Sequence, residues 1–352
     1  MGLFRGNSQL PAPAASGRLP ELDALRGLAA LLVVVFHCAT VNPAGASPAL
    51  VGTAGVDLFF IISGFVIFLS LHRVSTGTEF VRNRISRLYP GYWAAVTFTY
   101  CLLALNPLRH LPPPGWPAYA ANLTMVQQLL GVPDLDGPYW TLLIELLFYA
   151  LMLLLYKAAL LKHVHLLGVG LVASSVLVIT QLSGTAWVAA LIHWVPLVQY
   201  LPLFLAGICF YQLYCSRPQP ISYYALAACY IFCQYLLFWY VGRSRHYTSQ
   251  HNYGIMLALF YLAFTLVVHN QLAFLVNRVT LFLGKISYAL YLIHQYLSTK
   301  LLIPFLLTRY HVKFWVAAFG AALPVSLVLA TLITYGIEIP VGRYLKRKLT
   351  FG

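Results

Sequence analysis

RGLAALLVVVFH, Arg26 to His37, is an apolar run that opens on an arginine and closes on a histidine. It lies within a longer apolar stretch, residues 23–41, and a bilayer core needs about 20 such residues per helix. Reading outward from it, further runs of this kind lie near 50–71, 89–108, 138–158, 164–182, 197–214, 222–241, 253–269, 283–307 and 314–338. The chain is 61% hydrophobic and 9% charged, against about 25% charged in soluble domains. The fold class is therefore all-α: a polytopic membrane protein of about ten transmembrane helices. What remains after the spans is loops and tails, too little for a separate soluble domain. Residues 1–20 read as a disordered leader, 21–342 as one transmembrane domain and 343–352 as a basic cytoplasmic tail.

Net charge of +14 raises the question of nucleic acid, but the basic residues sit in short loops beside the spans. With the N-terminus inside, sixteen Lys and Arg fall on the cytoplasmic side, and six (Arg109, Arg243, Arg245, Lys300, Arg309, Lys313) fall on the other. That asymmetry places both termini in the cytoplasm and leaves no basic groove for nucleic acid. A cleavable signal peptide is disfavoured by the long polar leader and by a histidine inside the apolar run. The six cysteines show no metal-ligand spacing and read as small packing residues, so no metal site is expected.

An acid at the centre of a membrane helix costs about 2.5 to 3.5 kcal/mol, so such residues normally face a cavity or a partner. Asp57 and Glu145 are placed that way. At ~1.5 Å per residue, His37, Asp57 and Glu145 lie roughly 6 to 10 Å below the outer surface, and His294 reaches a comparable level. Asp57, at the depth of His37, is expected to orient its imidazole. A neutral histidine so held is a general base near neutral pH. At ~100° per residue, the eleven steps from Arg26 to His37 return to one face, about 16 Å apart along the axis. Ser287, Tyr291 and His294 share a face, as do Thr141 and Glu145. A histidine in a membrane helix often does no more than bond a carbonyl, and His193 and His246, without such a stripe, are left structural.

An arginine three turns below a buried histidine suits a long anionic donor whose reactive end must travel into the bundle. Acyl-coenzyme A has that form. Arg82, Arg84 and Arg87 add guanidinium groups at the same mouth, suited to phosphate, although a positive-inside signal alone also explains them. The catalytic candidates are His37, Asp57 and Glu145; the donor-binding ones Arg26, Arg82, Arg84 and Arg87; the substrate-binding ones Trp140, Ser287, Tyr291 and His294. A proton-coupled transporter is the rival, since intramembrane Asp, Glu and His also form proton relays.

Five blocks carry a resemblance: RLPELDALRGLAALLVVVFH (18–37), GVDLFFIISGFVI (55–67), RISRLYP (84–90), YWTLLIELLFY (139–149) and GKISYALYLIH (284–294). In this order the chain resembles the membrane acyltransferase family 3, bacterial integral-membrane O-acyltransferases of surface glycans. Thr141 stands where serine is common in that family. The resemblance implies transfer of an acyl group, most often acetyl, from cytoplasmic acyl-CoA to a sugar hydroxyl, with His37 essential and Arg26, Arg84 and Arg87 contributing. It implies no permanently bound cofactor and a place in the bacterial inner membrane. The acceptor would be a glycan or lipid-linked sugar, and a homo-oligomer or a polysaccharide-assembly partner is compatible with it.

Overall fold

The computed structural model describes residues 19–45, 48–105, 112–216 and 218–351. The leader to residue 18, with Arg5 and Arg18, and the loop positions Arg109 and Arg217 lie outside the described residues. Every regular element among the described residues is helical. The helices are α1 (Pro20–Thr40), α2 (Gly55–Arg73), α3 (Gly77–Leu105), α4 (Trp116–Asn122), α5 (Trp140–Lys157), α6 (Val164–Gln181) and α7 (Ala186–Trp194). They continue as α8 (Leu201–Cys215), α9 (Ile221–Leu236), α10 (Gln250–Val268), α11 (Arg278–Gln295), α12 (Ile303–Tyr310), α13 (Leu323–Ile333) and α14 (Ile339–Phe351). Wider π turns at Tyr296–Leu302, Val316–Ala322 and Thr334–Glu338 join the last segments.

Nine helices among the described residues are long and apolar enough to cross a membrane. The run expected near 197–214 becomes α8, fifteen residues long, or about 22 Å against a core of about 30 Å. Its residues 201–213 are all buried. Protein surrounds it, so the length demanded of a lipid-facing helix does not apply. Leucines such as Leu166, Leu177, Leu262 and Leu332, by contrast, turn outward, as a multi-pass membrane protein requires.

Two close helix contacts organise the centre. A Cβ on Gly27 would meet Gly284 N at 2.7 Å, and one on Gly284 would run into the Asp23 backbone. Only glycine lets α1 and α11 approach so far. Gly64 and Gly207 do the same for α2 and α8, each lying against the other helix's backbone.

The arginine-rich segment before the third apolar run is the start of α3, which runs unbroken through Pro90. Proline removes the donor for the Ser86 carbonyl, and at that carbonyl Gly342 of α14 packs, with room for no Cβ. The basic C-terminal segment is helical through Phe351, and its helix packs on α3 at Gly342. Cysteines differ from the packing role expected of all six: Cys38 and Cys209 are buried, while Cys101 and Cys229 are exposed.

Candidate active site

α1 and α11 place His37 and His294 together, with His294 Nε2 3.0 Å from His37 Nδ1. The tautomers follow from their other partners. His294 Nδ1 faces the carbonyls of Tyr291 at 2.8 Å and Leu290 at 3.1 Å. A carbonyl only accepts, so this nitrogen carries the proton and His294 Nε2 is an acceptor. His37 Nδ1 must then be the donor, sharing its proton between His294 and the Val33 carbonyl at 3.0 Å. What remains is His37 Nε2, which carries the lone pair. His294 is fully buried and His37 half-buried, so the outer member of the pair holds the free nitrogen.

Asp57 does not orient His37. Its carboxyl lies against the Tyr253 hydroxyl of α10, and its Oδ2 has no hydrogen-bond partner in the protein. Equal depth along two helices does not fix the direction in which each side chain leaves its helix. His294 takes the place expected of Asp57.

Glu145 likewise lies away from the histidines. It accepts from Ser63 Oγ at 3.2 Å and from the Tyr149 hydroxyl. It lines a cleft between α1, α2, α3, α5 and α11 whose polar wall includes Arg26, Arg84, Arg87, Ser63, Thr141 and Ser287. Phe59 and Tyr291 also line the cleft. Tyr291 donates to Thr141 Oγ1 at 3.0 Å, since the Thr141 proton goes to the Pro138 carbonyl at 2.9 Å. Its ring lies 6.0 Å from that of His294. The three arginines, Ser63, Glu145 and Tyr291 thus line one cleft, and the histidine pair, outside that lining, adjoins it at Tyr291.

At the arginine end, Arg84 donates to Ser70 Oγ at 3.0 Å and lies over the Phe80 and Tyr149 rings. Arg26 sits in the combined field of Arg87, Asp23, Glu145 and Glu338. Two further clefts open from the same arginines and add Arg73, Lys285, Arg343 and Lys346 to their walls. Local spacing gave no sign of Arg343 and Lys346, which arrive on α14 from the far end of the chain.

Arg82 is not among the residues that line these clefts. Its Nη1 donates to the Leu349 carbonyl at 2.6 Å, satisfying a helix-end acceptor of α14. Trp140 is also absent from the cleft. Its ring lies 4.3 Å beneath the Arg243 guanidinium and 5.6 Å from the Tyr200 ring. Arg243, which sequence reading assigned only to the outer loops, also acts on His37 and Tyr291 through its charge. No group of three or more His, Cys, Asp or Glu able to hold a metal occurs among the described residues.

Comparison with known proteins gives the family. Residues 19–335 match the model of the acyltransferase domain family. The chain is similar to acyltransferase MdmB of Streptomyces mycarofaciens, 32% identical over 155 residues, 40% of each protein. It is similar to ORF330 of Acidianus two-tailed virus, which carries an acetyltransferase name, at 25% identity over 78% of this chain and 82% of that one. With the exopolysaccharide production protein ExoZ of Rhizobium meliloti it shares 36% identity over 110 residues, 28% of this chain and 33% of ExoZ. The alignment thus spans less than half of MdmB and of ExoZ. No solved structure matches. Since the family match takes in every helix around the central cleft, the chain belongs to this acyltransferase family.

Proposed function

We propose that the protein transfers an acyl group, acetyl foremost, from acyl-CoA to a hydroxyl of a glycan or lipid-linked sugar. The observation that carries this reading is the hydrogen-bonded histidine pair, beside Tyr291 of a cleft that Arg26, Arg84 and Arg87 also line. The acetyltransferase name of ORF330 favours acetyl, and the exopolysaccharide name of ExoZ favours a glycan acceptor.

In this mechanism the arginines hold the donor's phosphates, joined by Arg73, Arg343 and Lys346, and the pantetheine arm lies along the cleft. His37 Nε2 takes the proton of the acceptor hydroxyl as its oxygen attacks the thioester carbonyl. The carbon–sulfur bond then breaks, and the coenzyme A thiolate leaves with the proton from the imidazolium. Positive charge on His37 is shared with His294 through the Nδ1 hydrogen bond. Tyr291 and Ser287 line the approach of the thioester, and Glu145 with Ser63 orders its middle. Residues 21–342 act as one catalytic domain, with both termini on the cytoplasmic side of a bacterial inner membrane.

General-base help of this kind is worth roughly 10² to 10⁴-fold. His37→Ala is expected to remove acyl transfer from labelled acetyl-CoA by at least about 100-fold, with the protein still in the membrane. Retained transfer in that variant would sink the reading.

A further inference from the structure

Directly behind the histidine pair the chain does something unusual. α11 ends at Gln295, one residue after His294, and the backbone widens into the π turn Tyr296–Leu302. Such turns shift backbone groups off their helical partners and are frequent at functional sites. Here the Tyr296 N–H points at Asp136, 3.2 Å from each carboxyl oxygen. Asp136 is 4% exposed and also accepts from Gly137 N at 2.7 Å.

Two neighbouring contacts have the same geometry. Gly137 lies flush against the Gln295 side-chain amide, and Thr141 bonds Tyr291. The corner 136–141 therefore grips 291–296 at three points, and His294 lies between them.

We propose that Asp136 is a positioning residue for the histidine pair: by fixing the turn behind His294 it keeps His294 Nε2 on His37 Nδ1, and so keeps His37 Nε2 free. The inference rests on His37 being the base. Asp136 touches neither substrate nor His37; it acts through the Tyr296 backbone. Burial pushes its carboxyl up to about 7, against the pull of the Tyr296 and Gly137 N–H groups. Both protonation states are thus populated near neutrality, and Asn, with the protonated acid's single acceptor, is the conservative replacement.

The test compares the full chain with Asp136→Ala and Asp136→Asn in lipid nanodiscs. Two readouts are taken: acetyl-CoA turnover, split into kcat and KM, and histidine NMR spectra of isotope-labelled protein, with His294 assigned from His294→Ala. A misplaced catalytic group costs on the order of 10²-fold. Asp136→Ala is expected to lower kcat roughly 10- to 100-fold at unchanged KM, with shifted His294 resonances, and Asp136→Asn to recover part of both. A folded Asp136→Ala protein with wild-type kcat, with the loss confined to KM, or with unmoved His294 resonances overturns the proposal. Where Asp136→Ala does not fold, the same criteria apply to Asp136→Asn. Should His37→Ala stay active, the base assignment fails instead, and the resonances still report on the Asp136 contact.

Discussion

At the scale of residues, the site depends on one hydrogen bond whose direction is set elsewhere. His294 cannot accept from a carbonyl, so its two backbone partners force its Nε2 into the acceptor role, and His37 follows. Losing His294 frees His37 to exchange tautomers without removing its imidazole. His294→Ala is therefore expected to cost kcat roughly 10- to 100-fold, less than His37→Ala. The double variant is expected to be no worse than His37→Ala alone, because two members of one unit are not additive. Additive losses in single-turnover measurements would show that His294 works through something other than His37. The sequence placed both histidines at one depth by counting residues. It assigned the wrong partner, because Asp57 shares that depth and is the more familiar companion of an imidazole.

At the scale of elements, α1 and α11 run in the same direction, and their glycine contact sets the register. Gly27 and Gly284 each precede by ten residues the histidine on their own helix, or about 15 Å at ~1.5 Å per residue. Matching glycines at one level bring matching histidines together at the next. Gly284→Val places side-chain atoms against the Asp23 backbone, which cannot give way as a flexible side chain would. Overpacking of this kind costs about 1 to 3 kcal/mol. A lower midpoint of thermal unfolding in detergent is expected, with transfer activity falling further than stability does; an unchanged midpoint would mean that the helices reseat without loss. Helix spacing made the α1 face legible, since Arg26 and His37 belong to one regular helix. The π turn after His294 was not legible: the carboxyl that its first N–H meets, Asp136, comes from a loop more than a hundred residues earlier.

At the scale of the whole molecule, one basic mouth collects arginines and lysines from α1, α2, α3, α11 and α14. Their functions separate by what each side chain touches. Arg87 lines all three clefts at that end, whereas Arg82 holds the Leu349 carbonyl of α14. A hydrogen bond to a charged group contributes about 1.5 to 3 kcal/mol. Arg87→Ala is accordingly expected to raise the KM for acetyl-CoA by at least about tenfold, increasingly so at low salt, with Arg82→Ala close to wild type. Equal KM effects from the two would mean that the cluster acts only through its summed charge. By itself the sequence determined that this is an all-α membrane protein, because apolar runs of this length have no other stable solvent. It also determined that Arg26 and His37 share a face, because helical periodicity is a local property. Only the tertiary structure decided which groups meet: His294 rather than Asp57 at His37, Glu145 among the arginines, Arg82 away from them, and α14 across the mouth. Residue spacing fixes depth and face within one helix, while the rotation of each helix against its neighbours comes from close packing at glycines and from buried polar groups finding partners.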